Sequence, residues 1–274
     1  MRQFRCVLLL PLCLTLLHGE ESVASSAVIT SVPLASGRTW DSAGAYFNIL
    51  PIVMTGEEWT TTILLSNPGD IQTTFKGSFY KDGSPWQVAI ETDQTCNPCV
   101  PSAVWNFVLA PKASFRFQVG QTENTEVGYL ELYGLESASK SVTAQSMLRN
   151  HHPLRAQDFE IAYQVAPLLD SGPKLMAFDQ ANWGQVVTNL TNSSDSKISV
   201  EFTVQWSDGK TENVGQFDLQ PRSVRIFNFA KIFQSTWQRY GLLKVDYRYA
   251  MGVTVTGLRI NESGSFTPLV PFNF

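Results

Sequence analysis

The chain has 274 residues, of which 16% are charged and 12% aromatic, and its net charge is −4. That length suits two domains of roughly 100–130 residues, each large enough to bury its own core. The mild negative balance gives no electrostatic reason to expect nucleic acid or an anionic membrane as partner.

Arg2 and Arg5 precede the apolar run Cys6 to Leu17, which is too short to span a bilayer. Small residues follow, with Ser22-Val23-Ala24 as the expected cleavage site and Gly19 as the alternative. Leu10-Pro11-Leu12 lacks the small residue that lipidation of Cys13 would want, so residues 1–24 read as a secretory signal. No later segment is long and apolar enough to be a membrane span. The expected location is outside the cytoplasm, either secreted or in the cell envelope. Removing the signal leaves Cys96 and Cys99 as the remaining cysteines.

Residues 25–45 are a Ser-, Ala- and Gly-rich leader, in which Ala27 to Val32 could form an edge strand. Strands are then predicted over Tyr46 to Met54 and Thr60 to Ser66, the latter with Thr61, Ile63 and Leu65 on one face. Asn67-Pro68-Gly69-Asp70 carries turn chemistry: Pro fixes φ, Gly supplies φ > 0, and Asn and Asp bond nearby backbone. Thr73 to Tyr80, Trp86 to Thr92, Ser114 to Val119, Val127 to Tyr133, Ser141 to Leu148 and Phe159 to Leu168 continue the series, with Lys81-Asp82-Gly83 closing a hairpin.

The plan repeats about 125 residues on. Trp183 to Asp195 echoes Trp59 to Asp70, Ile198 to Gln205 echoes Thr73 to Tyr80, and Ser207-Asp208-Gly209 echoes the Asp-Gly turn. Leu258-Arg259 aligns with Leu148-Arg149, and Phe266 to Phe274 aligns with the closing strand. The offset falls to about 110 along the chain, which places an insertion of roughly fifteen residues in the first copy, around Asp93 to Ser102. Phe229 to Tyr240 breaks the β pattern and predicts a short helix with Asn228 as N-cap. The expected architecture is all-β: two tandem immunoglobulin-like β-sandwich domains, residues 46–170 and 171–274, with one short helix in the second.

The pattern W-x-T-x-I-x-L-x-N-P-G-D from Trp59 to Asp70, the Asp-Gly hairpin and the closing strand after Leu148-Arg149 resemble tandem β-sandwich repeats of secreted bacterial proteins of uncharacterised function. The resemblance implies fold and export, not an activity.

Cys96-Asn97-Pro98-Cys99 is the sharpest local motif. A redox pair wants its first Cys at a helix N-terminus, whereas Val100-Pro101 follows here, so a local disulfide pinning the inserted loop is the expected role. The zinc alternative would join Cys96 and Cys99 to His151 and His152. Adjacent strand residues point to opposite faces, so that set needs irregular backbone, which Pro153 permits. A solvated turn is the simpler reading. Glu57-Glu58 reads as loop charge, and Gly-x-Ser-x-Gly is absent from the sequence. No catalytic residue, metal or cofactor is expected. Trp59 and Trp183 sit at equivalent places and read as core or sheet-edge residues.

Trp86 and Trp105 flank the insertion and are candidate ligand-binding residues, either stacking on sugar rings or packing the insertion onto the sandwich. Asn189, Asn192 and Asn261 fit glycosylation sequons, which matter only in a glycosylating source. The expected role is non-catalytic: structural, adhesive or binding, with a polysaccharide or another surface protein as partner. A carbohydrate-binding module or an accessory protein of a polysaccharide-processing system is the alternative, and a thiol-redox or zinc enzyme stands third.

Overall fold

A computed structural model describes residues 27–31, 46–92, 100–134, 141–151, 158–164, 166–167, 172–182, 184–247, 252–261 and 266–273. The first part of the chain supplies β1 (Ala27–Ser31), β2 (Tyr46–Thr55), β3 (Trp59–Ser66), β4 (Thr73–Lys81), β5 (Ser84–Pro85), β6 (Ile90–Glu91), β7 (Val104–Leu109), β8 (Ser114–Val119), β9 (Glu126–Gly134), β10 (Thr143–Asn150), β11 (Phe159–Gln164) and β12 (Ala166–Pro167). They form one sheet in the order β1-β7-β4-β9-β2-β12, with β5 beside β4, and a second in the order β11-β10-β3-β8-β6.

The second part supplies β13 (Lys174–Asp179), β14 (Gln185–Asn192), β15 (Ile198–Trp206), β16 (Thr211–Leu219), β17 (Ser223–Asn228), α1 (Phe229–Ile232), β18 (Tyr240–Asp246), β19 (Val253–Ile260), β20 (Phe266–Leu269) and β21 (Phe272–Asn273). Their sheets run β16-β15-β18-β13-β21 and β17-β14-β19-β20. Strand for strand, this is the order of the first pair once β1, β5 and β6 are set aside. The chain is an all-β protein of two sandwiches built on one plan.

Alternation drives each sandwich. Ile63 and Leu65 of β3 and Phe115, Phe117 and Val119 of β8 face Phe75, Phe79, Phe107 and Leu130 across the first core. Val186 and Leu190 of β14 face Val200, Phe202, Val204, Leu243 and Val245 across the second. The central pairs β14–β17 and β15–β18 correspond to those of an immunoglobulin sandwich, while the first and seventh strands exchange sheets relative to it.

Three local expectations need correction. The insertion is wider than Asp93 to Ser102. In the second copy β16 runs unbroken along β15, with a bulge beside Phe202 and Thr203. In the first copy the equivalent strand leaves β4 after Pro85 and returns at Val104. The excursion is necked by the Val88–Ser102 bridge, and β6 crosses to the opposite sheet beside β8, so the strand expected over Trp86 to Thr92 is reduced to those two short contacts.

The helix is shorter than expected. Asn228 does cap it, accepting from the Ala230 and Lys231 amides, but the α-turn ends at Ile232 and a 3-10 turn covers Gln234–Thr236. Phe233 leaves helical φ/ψ as its ring packs on Phe202, Phe227 and Phe229, and the Thr236 hydroxyl bonds its carbonyl.

The Leu-Arg alignment slips by one residue. Thr62 pairs with Met147 and its counterpart Val187 pairs with Leu258, so Leu258 matches Met147 rather than Leu148. Such a slip moves a side chain to the other face of the sheet. Leu148 points into the first sandwich and Leu258 away from the core of the second.

Candidate functional site

Trp86 and Trp105 do not form a platform for a ligand. They are 7% and 1% exposed and belong to the first core. Indole donors need partners when buried, and both find them: Trp86 Nε1 donates to Glu126 Oε2 at 3.0 Å and Trp105 Nε1 to the Ser102 carbonyl at 3.0 Å. Glu126 Oε1 also accepts from Lys81 Nζ at 2.6 Å. Gly128 makes room for Trp86, since a Cβ there would come within 2.7 Å of the indole. These tryptophans weld the insertion to the sandwich, and their ring faces are closed to a sugar.

Cys96, Cys99, His152 and Trp183 lie outside the described residues. His151 is exposed, and its Nδ1 shares a hydrogen bond with Asp158 Oδ1. Arg149 Nε donates to Asp158 Oδ2 at 2.6 Å. The His151 hydrogen bond, followed by that from Arg149, holds the Asp158 carboxyl below the usual carboxylate range despite the opposing effect of desolvation. Among the described residues no group of three or more His, Cys, Asp or Glu could hold a metal ion. Glu57 sits in a turn at φ 46° and accepts from the Thr125 hydroxyl, as befits loop charge.

Two asparagines carry a role that turn chemistry only half suggested. Asn67 Nδ2 donates to the carbonyls of Ile71 at 2.9 Å, Ala110 at 3.0 Å and Leu109 at 3.3 Å, and its Oδ1 accepts from the Gly69 amide at 3.1 Å. Asn192 repeats the set with Ser196 at 2.8 Å, Gln220 at 2.9 Å, Leu219 at 3.4 Å and the Ser194 amide at 2.9 Å. Both are buried. Each latches the end of β3 or β14 to the end of the strand that crosses into the next sheet. Pro68-Gly69 and Ser193-Ser194 are therefore interchangeable because the asparagine fixes the turn.

The two sandwiches meet along a seam. Ile52, Leu148, Ile161 and Tyr163 gather with Met54, Trp59 and Val127, and with Ile226, Leu258 and Phe266 of the second sandwich. Trp59 stacks on Phe266 with centroids 5.8 Å apart, so it is a seam residue. Ile49, Tyr80 and Tyr129 receive Val224, and the Arg222 guanidinium lies 4.7 Å over the Tyr80 ring. At the bulge of β2, the Pro51 carbonyl accepts from Asn189 Nδ2 at 3.1 Å and Thr191 Oγ1 at 2.6 Å. Asn189 and Asn192 are thus buried with their amide nitrogens engaged, which closes both sequons in the folded chain. Burial also raises the Tyr163 hydroxyl pKa well above its ordinary value.

The outer face of the β3 sheet, with Thr62, Ser114, Arg116 and Met147, and the outer face of the β15 sheet both stay open, and the second, with the turn beside it, carries exposed aromatics. Tyr240 is 52% exposed at one end of that face and Phe272 is 49% exposed on its edge strand, while Trp237 is 59% exposed in the turn before β18. Leu175 pairs with Phe272 and with Lys244, and Asp179 pairs with Tyr240, so these side chains share the outward face. A groove of about 410 Å³ on the same sheet is lined by Lys197, Ser199, Glu201, Gln216, Asp246 and Tyr247. Its carboxylates, ammonium and amide suit polar ligands better than apolar ones, and the exposed rings lie elsewhere on or beside the face. The exposed aromatics thus lie on the second sandwich, away from Trp86 and Trp105, which are buried in the first. Exposed Trp237 and Tyr240 lie inside the segment, Phe229 to Tyr240, that the helical reading assigned to a cover for the sandwich end.

Compared with known proteins, the chain matches no family model, no curated protein and no solved structure. No helix among the described residues is long and apolar enough to cross a membrane.

Proposed function

We propose that this chain is an exported, non-catalytic β-sandwich protein with a structural, adhesive or binding role at the cell surface or outside the cell. The carrying observation is the use made of the buried polar side chains. Asn67, Asn192, Asn189 and Thr191 hold backbone in turns and at the seam. They serve the frame rather than a cleft, and the two sandwiches are sewn together with an outer sheet face of each left open. The apolar run from Cys6 to Leu17 supports export. The test is fractionation of the source cells with intact-mass measurement. A chain lacking about its first 24 residues, found in the envelope or medium, is the expected result. A full-length chain confined to the cytoplasm would overturn the reading.

A second reading, carbohydrate binding, is favoured by Tyr240, Phe272 and Trp237, exposed on or beside the open face. Affinity electrophoresis against a panel of soluble polysaccharides tests it. Retardation that Tyr240→Ala or Phe272→Ala abolishes would establish it, and unretarded migration across the panel leaves the structural or adhesive role.

A further inference from the structure

Among the described residues the first sandwich has a strand that the second lacks. β1 pairs antiparallel along the outer edge of β7, Ala27 opposite Leu109 through Ser31 opposite Trp105. Ala27 and Ile29 pack against the first core, and Val28 and Thr30 face outward. Without β1, the β7 edge would present Val104-Trp105-Asn106-Phe107-Val108-Leu109, an uncharged run with free ladder positions, which is the kind of edge that recruits another strand. Among the described residues the equivalent edge of the second sandwich, β16, carries no added strand, and it is blunted. It holds Glu212 and Asp218, bulges beside Phe202 and Thr203, and at Gly215 meets the Phe233 ring.

The connection behind β1 is long for what it spans. Ser31 lies in one row of the sheet with Trp105, Gly77, Leu132 and Asn48. That row is four strand spacings, about 19 Å. Residues 32–45 reach about 46 Å when extended. Every contact that β1 makes to its own β7 is therefore available to the β7 of another molecule, and only the local concentration conferred by the tether favours the intrachain pairing.

We propose that β1 is an exchangeable strand: the β7 edge accepts Ala27–Ser31 from a second copy of this chain, in the same antiparallel register. Each chain has one such strand and one such edge, so two copies can satisfy each other reciprocally and close as a dimer. The blunted β16 edge confines exchange to the first sandwich. The occupant is a second copy because the segment that fits the edge is this chain's own, with small and β-branched side chains at the two inward positions and no charge to bury.

The test uses the full chain carrying Thr30→Cys in isotopically labelled form, and Asn106→Cys unlabelled, two residues that face each other outward across the pair. The two are refolded together at about 0.1 mM, below the millimolar local concentration of a short tether, and treated with a short bismaleimide. Peptide mass mapping then reads the link between the introduced thiols and separates it from links through the native cysteines. Linkage between labelled and unlabelled chains at least about fivefold above a control pairing of Thr30→Cys with Lys210→Cys, rising with concentration, is the expected result. Linkage at the control level overturns exchange. A chain bearing both substitutions should link internally in dilute solution. Failure there would overturn the β1–β7 pairing itself.

Discussion

The two sandwiches share a frame and differ in which outer face is apolar. In the first, the outward side chains of the β4 sheet include Ile49, Tyr80, Val127, Tyr129 and Glu131, and the second sandwich covers them. By register the second copy has Leu175, Gln205, Tyr240, Leu242 and Lys244 at those positions, and that face is open. On the opposite sheets the contrast reverses. Thr62, Ser114, Arg116 and Met147 face outward in the first copy, while the second has Val187, Val224, Ile226 and Leu258. The duplicated frame is thus joined head to tail, and a repeated join onto a third sandwich would have to bury Lys244 and Arg116 without their solvent.

The largest expected effects come from the feature the copies share. Asn67→Ala and Asn192→Ala each strand two or three carbonyls at a strand end and should cost about 2–4 kcal/mol, read by urea unfolding. Similar losses at both sites would confirm that one latch is used twice. A loss below about 1 kcal/mol at either would show that its turn is held by something else. Next come the faces. Ile226→Arg gives the second copy the first copy's residue and should cost about 2–3 kcal/mol by placing a cation in the seam, splitting one melting transition into two. Its mirror, Arg116→Ile on the open face, should change stability by less than about 0.5 kcal/mol. If the two substitutions behave alike, the seam is not formed in solution. Thr191→Val keeps shape but loses the bond to the Pro51 carbonyl, for about 1 kcal/mol. Ser66→Ala at the equivalent open position loses only an exposed hydroxyl pair and should be near neutral by the same unfolding measurement.

The frame was legible because alternation and turn residues act locally. Ile63 and Leu65 declare their face, and Asn-Pro-Gly-Asp declares its turn. The seam was written less plainly, yet it left a trace. Tyr129-Leu130-Glu131-Leu132 is nearly all buried, as a strand covered on both faces must be. Read as one-sided, such a run tells nothing of what covers the second face. Asn67 was read as a turn former, since its partners Leu109 and Ala110 lie some forty residues away and no local rule pairs them. Trp86 and Trp105 were singled out, as either stacking on a ligand or packing the insertion onto the sandwich, because they lack counterparts in the second copy. That was a sound sign that they belong to the insertion and a poor guide to their exposure. The Leu-Arg alignment failed for a third reason: two similar dipeptides one residue out of register look like homologous positions, and only pairing reveals the face.

The smallest effect belongs to a feature described in the first copy alone. Asp158 is held ionised by His151 and then by Arg149, its pKa lowered relative to an unfolded chain. A depressed carboxylate contributes stability that is fully present above its unfolded pKa, about 3.9, and is lost as pH falls through the lower folded value. The stability difference between the parent chain and Asp158→Asn should therefore be constant above about pH 5 and shrink below about pH 4, vanishing once the carboxylate is protonated in both states. Because the pair is at the surface, the difference should also fall with added salt. Thermal melts across pH 2–7 at two salt concentrations check both. A difference that persists at the acid end would mean that Asp158 holds the β10–β11 connection by shape rather than by charge, and that this corner of the first sandwich owes nothing to its ion pair.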